Sequence, residues 1–235
     1  MTDTGTGALE VDSGTLNQGA GATGKADLFD STLNLLGGGA GTFAFEGSNS
    51  LLGNISAAQS VVVQGDGCFS GSTVTAPAGF TNAGSIELTN VEEVCAESEP
   101  ARLEWSGTLT NTGKITSNLG AAGGSRALYG NLTNSGAVNI ESDTSFGGSG
   151  ALFTNKKTVT VADEALFFTT GGQTFTDATG GSVATTSGGS LDFADTTFNV
   201  GPGSPGSAPV LLENSSKLNL TGATASGTFV FRGAG

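Results

Sequence analysis

Few side chains in this sequence could do chemistry, and they do not converge in the chain. Asp192 and Asp195, in Leu191-Asp192-Phe193-Ala194-Asp195, form the nearest local carboxylate pair, with Asp163 and Glu164 as another. Two carboxylates facing across a sugar cleft are what glycoside hydrolysis requires. In an extended segment, however, residues three apart point to opposite faces, so Asp192 and Asp195 diverge unless a bend intervenes. Lyase chemistry wants a basic residue beside acidic ligands, yet Arg102, Arg126 and Arg232 all stand outside acidic clusters. Histidine is absent, which rules out a Ser-His-Asp triad. No phosphate-cradling glycine motif precedes a helical pattern, and runs such as Gly37-Gly38-Gly39 are turn signals. The single tryptophan and tyrosine, Trp105 and Tyr129, complete the weak carbohydrate-site candidates with Asp192 and Asp195. Catalysis is not expected, and no cofactor is implied.

Two cysteines, Cys68 and Cys95, sit at nearly the same phase of adjacent repeats, where neighbouring turns come within bridging distance. A disulfide would fit an oxidising, extracytoplasmic setting. A pair of buried free thiols is the alternative. A metal site is not expected, because without histidine the zinc ligand sets are out of reach. Residues 91–100, Val91-Glu92-Glu93-Val94-Cys95-Ala96-Glu97-Ser98-Glu99-Pro100, read as an acidic loop-out facing water, with a weak calcium site as the sharper alternative.

Charge narrows the partners. Acidic residues outnumber basic ones 21 to 8, giving −13; such a surface repels polyanions and offers no basic cluster for phosphates, so no nucleic-acid partner is expected. No apolar run approaches the length of a membrane-spanning helix, so membrane insertion is not expected either. Forty glycines interrupt every stretch long enough for a helix.

What must position these residues is a repeat. Phe80-Thr81-Asn82-Ala83-Gly84-Ser85-Ile86-Glu87-Leu88 is echoed by Leu109-Thr110-Asn111-Thr112-Gly113-Lys114-Ile115 and by Leu132-Thr133-Asn134-Ser135-Gly136-Ala137-Val138-Asn139-Ile140. Phe153-Thr154-Asn155-Lys156-Lys157-Thr158-Val159-Thr160-Val161 follows the pattern without the glycine. Weaker copies start at Ile55, Phe175 and Leu212, so the asparagine phase falls at 57, 82, 111, 134, 155, 177 and 214. A period in the low twenties fits one turn of a β-solenoid. The fold expected is therefore all-β, a single-stranded parallel β-helix of about 21–25 residues per turn, right-handed by the usual preference of parallel crossovers. Asn82, Asn111, Asn134 and Asn155 are expected to stack as an internal amide ladder at a corner. The corner would also use the tolerance of asparagine and glycine for left-handed backbone angles.

One solenoid domain over 1–235 is expected: irregular first turns in 1–50, regular turns in 53–190, a loop or short extra turn in 184–210, and a last turn in 211–235. The start, Met1-Thr2-Asp3-Thr4, shows no signal-peptide pattern, and the uncapped finish at Gly233-Ala234-Gly235 reads as a piece of a longer chain. Flanking domains or another copy would then cap the solenoid ends.

The repeats at Phe80–Ile86 and Leu132–Ile140 resemble those of large secreted bacterial β-helix proteins, the haemagglutinin-like and autotransporter-passenger exoproteins. The resemblance spans residues 53 to about 220 and is one of architecture. It implies a non-catalytic extracellular or cell-surface adhesin or stalk segment, whose partner would be a host-surface or cell-wall glycan or protein. The alternative is a carbohydrate-binding or polysaccharide-degrading β-helix of the lyase, hydrolase or phage-tailspike type. Ice binding needs a flat array of Thr-x-Thr, and Thr158-Val159-Thr160 is not repeated at its own phase in neighbouring turns. Sequons at Asn54, Asn131, Asn214 and Asn219 are what Asn- and Thr-rich repeats generate by chance.

Overall fold

Alternation of apolar and polar residues sets the strands. Gln59–Gly65 and Thr174–Asp177 bury every second side chain, as extended segments do when one face meets a core. The computed structural model describes residues 7–65, 71–91, 100–121, 124–162, 164–186, 188–202, 208–222 and 228–233. They form an all-β solenoid without helices, and every strand pairing among them is parallel. No helix is therefore long and apolar enough to cross a membrane.

Each coil contributes strands to two or three faces. Face A is a nine-stranded sheet running from Leu9–Asp12 to Ser182–Thr185. Face B runs from Thr15–Gln18 to Phe229–Arg232. Face C starts at Phe80–Asn82, takes the second halves of Ala101–Asn111 and Arg126–Asn134, and continues through Leu152–Asn155, Thr174–Asp177, Thr197–Val200 and Lys217–Leu220.

The coil length changes where the third face appears. The first coils carry faces A and B only: Leu16 pairs with Leu33 and Leu33 with Leu51, spacings of 17 and 18 residues. The segment expected to be irregular thus holds short coils in continuous register, both on face B and along Leu9–Asp12, Thr23–Phe29 and Ala40–Glu46 of face A. Between 177 and 220 lies a full extra coil, because Asp177 pairs with Val200 and Val200 with Leu220.

Two of the weak repeat copies sit at other phases than the sequence suggested. Ile55 bridges Asn82, not Phe80. Leu212 pairs with Phe193 on face B, so Asn214 is not a member of the asparagine column. Both copies lacked the Asn-x-Gly pair, so only their apolar spacing was available to align them.

The interior is apolar, with a column of phenylalanines through its later coils. Phe153 and Phe175 lie with ring centroids 4.6 Å apart, and Phe175 approaches Phe193 at 5.3 Å and Phe198 at 5.4 Å. At the corner from face C to face A runs the amide ladder. Asn82 Nδ2 donates to Asn111 Oδ1 at 2.8 Å, Asn111 to Asn134 at 2.8 Å, and Asn134 to Asn155 at 2.9 Å. The same amide nitrogens donate to the carbonyls of Lys114, Ala137 and Thr158 in the next coil. All four asparagines are fully buried, and each amide nitrogen, bonded to the next coil, fixes that coil's register; the Oδ1 of Asn82, at the start of the column, has no partner among the described residues. A second, shorter stack in the early coils joins Gln59 Nε2 to Gln18 Oε1.

Glycine serves two different corners for two different reasons. Gly84, Gly113 and Gly136 follow the ladder asparagines, and none has a left-handed φ. A Cβ on Gly113 would lie 2.1 Å from the carbonyl oxygen of Gly84, and one on Gly136 would lie 2.1 Å from that of Gly113. Backbone clearance between coils, not the left-handed conformation expected from the sequence, is what demands glycine there. At the corner from face B to face C left-handed backbone recurs, joined at Gly130 by a need for clearance from Trp105. Gly107, Gly130, Gly148 and Gly171 take φ of 71°, 139°, 109° and 103°, and this column turns the chain.

Candidate functional site

That glycine-built corner carries a cleft. Arg102 and Glu104 project outward from face B, two residues apart on one strand, and form an ion pair at the surface. Leu103 and Trp105 alternate inward. After Trp105 the chain turns through Ser106 and Gly107 and enters face C with a register shift between Glu104 and Thr108. In the next coil Tyr129 stands beside Glu104, and Gly130 and Asn131 repeat the turn. Gly148, Ser149 and Ala151 of a third coil close the far wall, leaving a cleft of about 360 Å³. This lies at the small end of ligand sites.

The side chains around it are largely committed to the fold. Trp105 is only 6% exposed, and its indole N–H donates to the Asn131 carbonyl at 2.6 Å. Its ring lies against Gly130, where an added Cβ would sit 2.7 Å from Nε1. The Tyr129 ring is covered on one side by the Arg102 guanidinium, 4.1 Å from its centroid, a cation–π contact. A Cβ on Gly147 would come within 2.6 Å of the same ring, so Tyr129 rests on backbone there. Asn131 Oδ1 accepts the Leu152 N–H at 2.9 Å, tethering successive coils. Trp105 and Tyr129 thus meet at one cleft, as a sugar site would need, but neither offers a bare face for stacking. Its remaining polar walls, Glu104, Arg102, Thr75 and Ser149, can exchange hydrogen bonds with a small neutral molecule.

The acidic candidates lie elsewhere. Asp192 faces outward on face B between Phe168 and Leu211 of the adjoining coils. Burial among these apolar neighbours, and repulsion from Glu213, raise its carboxyl above the usual carboxylate range, with Arg232 opposing. Four coil steps separate Asp192 from Glu104, roughly 19 Å at the usual spacing between strands. Glycosidase carboxylates stand about 5–9.5 Å apart, so these two cannot act on one bond. Asp195 sits in the following turn with φ 49° and accepts the Ser215 N–H at 3.1 Å, a structural tether between coils. Glu164, likewise at positive φ (60°), lies in a turn, and its neighbour Asp163 is outside the described residues. So are Cys68, Cys95 and the acidic stretch 92–99. Among the described residues, no group of three or more potential metal ligands comes together.

Two charged groups, Arg126 and Asp177, are fully buried. Arg126 points into the core with no exposed surface; its Nε and Nη2 donate to the carbonyls of Asn118 and Leu119 at 3.0 and 2.8 Å. Burial lowers its pKa to about 10. It closes the long corner before its own strand, a role that nothing in the local sequence signals. Asp177 ends the amide ladder: Asn155 Nδ2 donates to its Oδ1 at 2.8 Å, while its buried Oδ2 has no partner among the described residues. Burial pushes its pKa up to about 6, against the lowering effect of the Asn155 hydrogen bond. Its position in the repeat marks it as a ladder member, but only the apolar Val200 in the next coil makes it the terminus.

No protein-family model matches the chain, and no curated protein or solved structure is significantly similar to it.

Proposed function

We propose that this chain is a non-catalytic structural or adhesive segment of a bacterial protein that works outside the cell. The observation that carries this is the use made of its polar side chains. The amide column from Asn82 to Asp177 ties five successive coils together from within. Asp195, Asn131 and Arg126 hold backbone groups of neighbouring coils or corners. Such a rod is stiff along its axis, because each coil is hydrogen-bonded to the next throughout its strands and again through its side chains. Its net charge of −13 favours solubility of an extended surface.

The test is adhesion without turnover. Beads coated with the chain are expected to attach to host-cell or cell-wall preparations. Polysaccharides incubated with it should release neither reducing ends nor unsaturated uronates. Depolymerisation of any polysaccharide, or attachment no greater than that of uncoated beads, would sink the proposal.

A second function, recognition of a neutral saccharide, is favoured by the cleft between Glu104, Tyr129 and Ser149. A glycan array with the wild type and Tyr129→Ala separates the two. Loss of a discrete glycan signal in the variant would support the cleft, and no signal in the wild type would dismiss it.

A further inference from the structure

The outward surface of face C differs from the other two. Face A presents Lys25, Asp27, Glu87 and Lys114, and face B presents Arg102, Glu104, Asp192, Glu213 and Arg232. The strands of face C carry no outward carboxylate in a chain of net charge −13, and their one outward cation, Lys217, lies in the last coil.

In place of charge, this face holds threonine in rows. Thr81, Thr110, Thr133, Thr154 and Thr176 pair directly, one above the next, through five consecutive coils. Asn199 and Asn219 continue the row. Two residues earlier, Thr108, Thr174 and Thr197 begin Thr-x-Thr or Thr-x-Asn units, with Asn131 and Leu152 at the intervening coils. Neighbouring threonines in the row are therefore about 4.8 Å apart across the strands, and the pairs Thr108–Thr110 and Thr174–Thr176 are about 6.6 Å apart along them. No register shift interrupts the face from Thr108 onward.

The hydroxyls of Thr110, Thr133 and Thr154 make no hydrogen bond to protein among the described residues, which leaves them to solvent. Their β-branched side chains have few rotamers, so ordering them costs little on contact with a surface. Beneath each stands a fully buried ladder asparagine, Asn111, Asn134 or Asn155, holding the coil spacing from inside. The result is a neutral, rigid net of hydroxyl and methyl groups. A prism face of hexagonal ice presents its oxygens in a rectangular net whose shorter side is close to the spacing between coils. Aromatic side chains, which stack on sugar rings, are missing from the outward strand positions of this face.

We propose that face C binds the surface of ice, with the Thr81–Thr176 row as its centre. The occupant is a water lattice because the Thr81–Thr176 row is uncharged, repeats at every one of five coils and carries, at Thr110, Thr133 and Thr154, hydroxyls without protein partners among the described residues; the Thr176 hydroxyl accepts from Asn199. This is independent of the adhesive role, since an ice surface can serve as the substrate of attachment or simply be held from growing.

The experiment uses the full chain in a slowly growing ice hemisphere and in an ice-recrystallisation assay. Wild type is compared with Thr133→Lys, Thr154→Lys and a face-A control, Thr160→Lys, all checked for unchanged thermal unfolding. Wild type and the control are expected to enter the ice and keep crystals small, and both face-C lysine variants to lose both properties. Should a lysine variant fail to fold, Thr154→Ser, which keeps the hydroxyl but loosens the rotamer, is expected to weaken inhibition. Exclusion of wild type from ice, equal incorporation of the face-C variants, or sedimentation with crystalline chitin or cellulose without ice binding would each overturn the proposal.

Discussion

Replacing Asp177 with asparagine should remove a pH dependence built into the end of the ladder. In the folded chain this carboxyl is fully buried, and its pKa is raised from 3.8 to about 6 by burial. Between about pH 4 and pH 6 the folded chain holds this proton while the unfolded chain has released it. The folded state therefore binds more protons, and this group's contribution to stability falls as pH rises through that window, levelling off above about pH 6. A shift of about two units corresponds to at most about 3 kcal/mol. Asparagine cannot ionise, and its Oδ1 can keep the 2.8 Å hydrogen bond from Asn155. Its NH₂ replaces Oδ2, which has no partner; the protonated acid has the same unmet donor, so that cost largely cancels at low pH. Asp177→Asn is thus expected to match wild type within about 1 kcal/mol at pH 4 and to exceed it by about 2–3 kcal/mol at pH 8. Solenoids need not unfold in one step, so the assay is amide hydrogen exchange across residues 155–182, with a carbon-13 titration of the Asp177 carboxyl beside it. A stability difference that does not change with pH, or a carboxyl titrating near 3.8, would refute the reasoning.

Other perturbations separate interior from surface and clearance from conformation. Asn134→Ala strands the donor of Asn111 and the acceptor of Asn155, and should cost about 2–5 kcal/mol in urea unfolding. Asn199→Ala, in the outer row where Asn219 donates to it at 2.8 Å, should cost under about 0.5 kcal/mol. Gly113→Ala puts a Cβ 2.1 Å from the Gly84 carbonyl oxygen and should lower the melting midpoint, with a cost of about 1–3 kcal/mol; a midpoint unchanged from wild type would show that the coils can separate freely. Phe175→Ala removes a ring in contact with Phe153, Phe193 and Phe198, a loss of about 3–5 kcal/mol that calorimetry would detect.

The architecture was readable in the chain because the solenoid imposes the same local demand on every coil. An amide at Asn82, Asn111, Asn134 and Asn155 must meet its counterpart above and below, so the same residue recurs at the same phase. Where that demand lapses, phase becomes ambiguous. The Leu212 segment has the right apolar spacing, yet its strand belongs to face B. Residue type alone also hid the reason for a residue. Gly113 and Gly107 look alike in the sequence, but one clears a carbonyl and the other bends the chain. The candidate cleft was legible only as two single aromatics; that Trp105 is buried and Tyr129 covered by Arg102 depends on which coil lies next to which. The same holds for the threonine row and for Asp177. Their neighbours are more than 20 residues away in the chain, at intervals that vary with each corner. Periodicity alone determined that this chain winds into stacked parallel coils with an amide spine. Only the tertiary structure decided which side chains share a face, because cross-coil contacts depend on how many residues each corner consumes.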